Sequence, residues 1–232
     1  MDSAEGFMEQ VDNLEQILSL LRHEIGNSVN SLKVTFDVLR ENYDRFDDEK
    51  KKDYLRRGSD LIARQVKIVE AMKSYSSFDA EGHEEISSQS LWKQLLTTLS
   101  GKLTDSSINF VHHQYAGTGL VWGNIDAIQK VLANIVDNAM ESVEGTENPA
   151  IEFSADEDNG FVRFLVKDNG CGIETENRHN IFIPLFTTKP GKMGMGLPIA
   201  RRLLTKMDGR IEIFGPSSGG TEVKVWLRKV TD

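Results

Sequence analysis

From Met8 to Leu39 the apolar residues recur at steps of three and four: Met8, Val11, Leu14, Ile17 or Leu18, Leu21, Ile25, Val29, Leu32, Phe36 and Leu39. With about 3.6 residues per turn, that spacing gathers them on one stripe of a helix. Two consecutive steps of four, Leu21 to Ile25 to Val29, turn the stripe slightly around the axis. A polar stretch at 41–52 ends the pattern, and Asp47 or Asp48 is placed to cap a second helix. The second pattern runs Leu55, Gly58, Ile62, Val66, Val69 and Met72 and fades at Ser76-Ser77. Two long helices with a short connection form an antiparallel hairpin. Such a hairpin has no third layer over its apolar stripe. Burying each large apolar side chain stabilises by about 1.5–3 kcal/mol. Two hairpins are therefore expected to pair as a homodimeric four-helix bundle. The alternative is that the rest of the chain covers the stripe.

Residues 79–90 are polar and read as a linker. This divides the chain into an all-α hairpin at 1–80, a linker at 81–90 and a mixed domain at 91–232. In the mixed domain a short amphipathic helix (91–99) is followed by strand-like segments at 108–112 and 119–122. Residues 125–143 form a helix that Asn124 can cap. Strands at 151–154 and 161–166 flank an acidic turn at 156–160. A helix at 197–207, ended by Gly209, precedes strands at 211–214 and 222–227. That order predicts an α+β sandwich, a mixed sheet with helices on one face.

The net charge of -9 argues against nucleic-acid binding, which needs a basic face. No apolar run approaches the roughly 18–20 residues of a membrane span, so no membrane contact is expected in this stretch. No signal-peptide layout precedes the first helix. Cys171 is the one cysteine, which excludes an intrachain disulfide and fits a reducing cytoplasm. A chain that starts directly in a helical pattern also fits a fragment, with a sensor or membrane region lying outside it.

His23 lies roughly 165° around the helix from the centre of the stripe, so it faces solvent. Asn27, four residues on, shares its side, and the adjacent Glu24 can take a proton from the imidazole. A neutral exposed imidazole offers a nucleophilic nitrogen near pH 7. Its position permits phosphoryl acceptance without demanding it.

Downstream, Asn134 and Asn138 share a helix face beside the apolar stripe of Ile128, Val131, Leu132, Ile135 and Ala139. Two amide oxygens there suit Mg²⁺, which takes a few protein oxygens together with phosphates. Asp168 ends a strand, where a carboxylate can accept from an adenine amino group. Gly170 and Gly172 then remove side chains where a flat ligand could approach. Residues 172–194 show little regular pattern, which in a compact domain marks a lid or binding loop. They hold Phe182, Pro184, Phe186, Thr187, Thr188 and Lys189. Gly194-Met195-Gly196-Leu197 opens the next helix, whose free N–H groups favour phosphate.

Taken together, these residues resemble the sequence boxes of sensor histidine kinases along nearly the whole chain. His23-Glu24-Ile25 resembles the H box, the run from Asn134 to Asn138 the N box, and Asp168 to Gly172 the first glycine box. Ile181-Phe-Ile-Pro-Leu-Phe-Thr-Thr-Lys189 resembles the F box. Gly194 to Gly196 and Gly219-Gly220-Thr221 resemble the remaining glycine boxes. The resemblance implies a dimerisation and phosphotransfer hairpin followed by a GHKL-type ATP-binding domain in a bacterial cytoplasmic protein. It implies phosphorylation of His23 by ATP and transfer to an aspartate on the receiver domain of a response regulator. It further implies Asp168 on adenine, Asn134 and Asn138 at Mg²⁺ and the phosphates, Lys189 near the terminal phosphate, Thr221 near the base, and Asn27 assisting phosphatase chemistry.

The chain departs from the family pattern twice. Ser28 stands where the family usually has proline, and Glu141 where many members have a basic residue. The Asn138-Ala-Met-Glu141 run with Phe186-Thr-Thr-Lys189 is similar to the subclass containing nitrogen- and oxygen-responsive kinases. Two rival readings are an ATP hydrolase of the same nucleotide fold and a non-catalytic scaffold. The hydrolases use a glutamate to activate water where this chain has Asn134, and an amide is no general base. A scaffold has no need of the full nucleotide set.

Overall fold

A computed structural model describes residues 2–76, 82–104, 106–189, 191–215 and 219–230, with the side chains of 2–18, 20, 21, 24, 71, 72 and 74–76 outside the description. The chain forms two compact units. One comprises Met1–Ser77 with Ile183–Met193, and the other Phe78–Phe182 with Gly194–Asp232.

The first unit is built on α1 (Asp2–Glu41) and α2 (Asp48–Ser76). Asp47 caps α2, its Oδ1 accepting from Lys50 N–H at 2.7 Å. The Phe36 ring of α1 lies over Gly58 of α2, close enough that a Cβ there would come within 2.8 Å of it. Near the turn, Phe46 stacks on Tyr54 at 5.3 Å. Leu39 and Ile68 are buried. The stripe expected from the sequence is only partly covered. Ile25 and Leu32 are half-buried, whereas Val29, Leu55, Ile62, Val66 and Val69 are exposed. Leu14, Leu18, Leu21 and Met72, also expected on the stripe, have side chains outside the described residues.

The second unit holds β1 (Glu84–Ser87), α3 (Ser88–Leu103), β2 (Asn109–His112), β3 (Leu120–Gly123), α4 (Ile125–Ser142), β4 (Ala150–Asp158), β5 (Phe161–Asp168), α5 (Gly196–Lys206), β6 (Arg210–Phe214) and β7 (Thr221–Arg228). A five-stranded sheet runs β2-β4-β5-β7-β6, and β1 pairs with β3 in a smaller sheet. Only the β2–β4 pair is parallel. Alternation drives the sandwich. Ile151, Phe153, Val162, Phe164, Val166, Val223, Val225 and Leu227 are buried against the helices. Trp92 of α3 stacks on Phe153 at 4.6 Å within that layer. On the opposite face the Arg163 and Arg210 guanidinium groups lie over the Trp226 ring at 5.0 and 4.3 Å.

Two sequence expectations are corrected. The expected linker, 81–90, contains β1 and the start of α3. Ile86 is buried in the pairing with β3, and Ser87 caps α3 by accepting from Ser90 N–H. Four residues with one apolar side chain present too short a pattern for periodicity to register. The expected acidic turn, 156–160, is mostly strand. β4 continues to Asp158 because Asp156 pairs with Arg163 across the sheet, and the reversal narrows to Asn159-Gly160. Both turn residues have positive φ, 46° and 81°, as a tight hairpin of this twist requires.

Candidate functional site

In the sandwich unit the site is organised by α4. Asn124 caps it, its side chain accepting from Ala127 N–H at 2.9 Å. Burial of Ala127, Ile128, Val131, Leu132, Ile135, Val136 and Ala139 fixes the rotation of the helix. That rotation leaves Asn134, Asn138 and Ser142, each four residues apart, along one half-buried edge. Asn134 Nδ2 donates to the Gly196 carbonyl at 3.4 Å, which ties the edge to the start of α5.

The far end of the row meets the turn after β5. Ser142 Oγ donates to Asp168 Oδ1 at 2.8 Å, and Gly170 N–H donates to the same oxygen at 2.9 Å. Asp168 is only 6% exposed. Asn169 braces the turn from outside, accepting from Ala150 N–H at 2.8 Å and donating to the Asn148 carbonyl at 2.9 Å. Thr221 is the register partner of Asp168 and is likewise buried. Gly220 before it has φ 81°, and a Cβ there would fall 2.0 Å from the Asp168 carbonyl oxygen.

α5 closes this side. Gly194 has φ 67°, Met195 is buried, and no side chain caps the helix start. The N–H groups of Gly196 and Leu197 therefore open a helix end suited to an anion. Between the turn and α5 the chain forms one short 3₁₀ turn, Thr175–Asn177. Arg178 then donates to the Gly215 carbonyl at 3.4 Å, and Arg201 lies over the Phe182 ring at 4.9 Å.

The hairpin unit carries His23 on the exposed side of α1. The Asn27 side-chain amide contacts His23 Nδ1 at 3.2 Å. The segment Ile183–Met193 belongs to this unit. In it Leu185 has φ 67°, a strained value for a non-glycine residue. Thr187 Oγ1 accepts from Lys189 N–H at 3.1 Å, Phe186 and Lys189 are half-buried, and Thr188 is exposed.

Residues 123–231 match the family described as histidine kinase-, DNA gyrase B-, and HSP90-like ATPases. Over 108 residues, 46% of this chain and 17% of the relative, the chain is 36% identical to the C4-dicarboxylate transport sensor protein DctB of Rhizobium meliloti. Over 218 residues, 92% of this chain and 34% of the relative, it is 22% identical to the signal transduction histidine-protein kinase AtoS of Escherichia coli. The catalytic domain of histidine kinase ThkA superposes with TM-score 0.56 at 26% identity, over 63% of this chain and 95% of that one. Residues 123–231 belong to that ATPase family, and the chain is similar to sensor histidine kinases. The fold likeness extends to 96% of the chain, at 23% identity and TM-score 0.68, in ThkA solved in complex with response regulator protein TrrA, of which it covers 64%. The chain spans about a third or less of the length of the two sequence relatives, 17% and 34%.

Within the kinase fold, Asn134, Asn138, Asp168, Gly170, Gly172, Gly194, Met195, Gly196, Leu197 and Thr221 all belong to the sandwich, an ATP-binding domain. His23, Asn27, Phe186, Thr188 and Lys189 belong to the hairpin unit, and the Glu24 side chain lies outside the described residues. A Cβ on Gly170 would sit 2.2 Å from the Ser142 carbonyl oxygen, so the glycine admits the end of α4. Gly172 packs on the Gly220 backbone in the same manner, 3.0 Å from its carbonyl oxygen. Among the described residues no group of three or more His, Cys, Asp or Glu side chains is placed to hold a metal ion. Asn134 and Asn138 present side-chain amides on the half-buried edge of α4. α1 passes unbroken through Ser28, whose hydroxyl is buried without a hydrogen-bond partner. Among the described residues no helix is long and apolar enough to cross a membrane.

Sequence reasoning misses Ser142. The signal was available: extending the row from Asn134 through Asn138 by one more step of four lands on it. Groups with shifted titration lie elsewhere, Glu157 and Tyr115 among them. Lys229, hydrogen-bonded to Glu157, holds that carboxyl below its ordinary range against the opposing effect of burial, and Tyr115 O–H assists at 2.9 Å. Burial in turn pushes the Tyr115 phenol from 10.0 up to about 12.

Proposed function

We propose that ATP bound in the sandwich phosphorylates His23, and that the phosphoryl group then passes to an aspartate on a response regulator receiver domain. The observation that carries this reading is the placement of His23. It is exposed on α1, with its Nδ1 contacted by the Asn27 amide nitrogen at 3.2 Å. The Asn27 amide nitrogen donates to Nδ1, so Nε2 carries the proton that must leave as it attacks. Nε2 attacks the terminal phosphorus in line, the bond to the bridging oxygen breaks, and ADP leaves with its electrons. Glu24 takes up the imidazole proton.

The nucleotide roles proposed are those the sequence resemblance implies. Asp168 accepts from the adenine amino group and Thr221 lies beside the base. The start of α5 at Gly194 to Leu197 receives phosphate. Asn134 and Asn138 hold Mg²⁺, which offsets phosphate charge when bound, and Lys189 serves the terminal phosphate, with Phe186 and Thr188 in the same lid. Asn27 also orients a water for dephosphorylation of the regulator. The exposed stripe of Val29, Leu55, Ile62, Val66 and Val69 supports a homodimer through the hairpin. The resemblance of Asn138 to Glu141 and Phe186 to Lys189 favours the nitrogen- and oxygen-responsive subclass. The partner reading is supported by the ThkA–TrrA complex, a kinase of the same fold bound to a response regulator.

Incubation with γ-labelled ATP and Mg²⁺ tests the reading. Wild type should take up acid-labile, base-stable label, and His23→Gln should take up none. Label retained on His23→Gln, or no label on a wild-type chain that binds ATP, overturns it.

A further inference from the structure

We infer that Ser142 is a positioning residue for the nucleotide base, acting through Asp168. The inference rests on the reading of Asp168 as the acceptor for the adenine amino group, and it adds the element that aims that acceptor. Ser142 is the last residue of α4 and makes three attachments to the turn after β5. Its hydroxyl donates to Asp168 Oδ1 at 2.8 Å, and its carbonyl accepts from Cys171 N–H at 3.0 Å. Gly170 packs against that same carbonyl, and donates its own N–H to Asp168 Oδ1 at 2.9 Å.

The geometry has a chemical consequence. Rotation of a carboxylate about its last torsion is soft, with broad minima and no staggered wells to hold it. Two donors converging on Oδ1 fix that rotation. Oδ2 is then presented in one direction, as a single acceptor for an exocyclic amino group. The Ser142 hydroxyl is also within 3.0 Å of the Ala139 carbonyl, but the charged oxygen is the nearer and stronger acceptor. The pairing runs between a helix end and a strand end, so it also locks the register of α4, and with it Asn134 and Asn138, to the base subsite.

The test uses binding of two nucleotides to the whole chain: ATP, and purine riboside triphosphate, which lacks the exocyclic amino group. Wild type should prefer ATP. Ser142→Ala should lose about three- to tenfold of that preference, the worth of one net hydrogen bond, and Ser142→Thr should restore it. A folding defect weakens both nucleotides together and leaves their ratio intact. A wild-type ratio in Ser142→Ala overturns the inference, whether or not overall affinity falls. Asp168→Asn separates the two levels. If it loses the preference while Ser142→Ala keeps it, the role of Ser142 alone fails. If Asp168→Asn keeps the preference, the reading of Asp168 fails, and that of Ser142 with it.

Discussion

At the scale of single residues, the site is set by where side chains are forbidden as much as by where they act. Gly220 has φ 81°, and its missing Cβ leaves room for the Asp168 carbonyl oxygen 2.0 Å from where that atom would lie. Gly145 has φ 76° with nothing within 4 Å of the same position. The two glycines separate backbone strain from close approach. Gly145→Ala carries the left-handed penalty alone, of the order of 1 kcal/mol. Gly220→Ala must in addition displace the strand carrying Asp168, so its loss should reach about 3 kcal/mol or more. Only Gly220→Ala should also weaken nucleotide binding. Urea unfolding midpoints and ATP titration check both statements. Equal stability losses, or unchanged ATP binding in Gly220→Ala, contradict the role given to the close approach.

At the scale of elements, the connection between β2 and β3 is held by a partly exposed polar cluster as well as by the packing of Tyr115 on Trp92. Tyr115 O–H donates to Glu157 Oε1 at 2.9 Å, and Lys229 donates to the other carboxylate oxygen. The Tyr115 pKa is raised from 10.0 to about 12, chiefly by burial. A raised pKa stabilises the fold fully below the unfolded value and loses that contribution as pH rises through the folded one. Stability should therefore decline between about pH 10 and 12. Tyr115→Phe, which has no proton to lose, should flatten that decline in unfolding experiments across the range. Glu157 has the opposite sign. Its pKa is lowered, first by the Lys229 hydrogen bond, so its contribution is present above the ordinary carboxylate range and fades as pH falls through the lowered value. Glu157→Gln should be less sensitive to acid than wild type; an unchanged acid midpoint contradicts this. None of this cluster is legible in the sequence, because Tyr115, Glu157 and Lys229 are far apart along the chain and meet only when the sheet forms. What is legible has local causes. The stripe on α1 and α2, the Asn124 cap of α4 and the alternation of β5 and β7 each declare themselves within one element. β1 does not, since Ile86 makes sense only opposite Val121. Ser142 lies between these cases. Its place on the row with Asn134 and Asn138 is local, but its contact with Asp168 depends on a strand that follows much later.

At the scale of the whole molecule, the described residues of the hairpin leave a row of apolar side chains exposed. Leu55, Ile62, Val66 and Val69 stand 53%, 48%, 51% and 50% exposed along α2, and Val29 of α1 is 53% exposed. Their steps of seven, four and three along α2 are the seam spacing of packed helices. Scattered apolar residues on a surface need no explanation, but a contiguous row does. Full burial of such a side chain stabilises by about 1.5–3 kcal/mol, so the rows of two copies together gain a sum of the same order as a typical association cost. A second copy presents the same row in the same spacing, which a two-fold axis brings into register. Val66→Glu combined with Val69→Glu places charge on that seam while keeping a good helix former at both positions. The double variant should sediment as the 26.0 kDa monomer where wild type sediments at twice that mass. ATP binding should survive in it, because the nucleotide residues of α4, β5 and α5 belong to a separately packed unit. A wild-type chain that is already monomeric at tens of micromolar refutes the dimer. If both variant and wild type stay dimeric, the seam lies elsewhere on the hairpin, and the exposed row on α2 requires a different occupant.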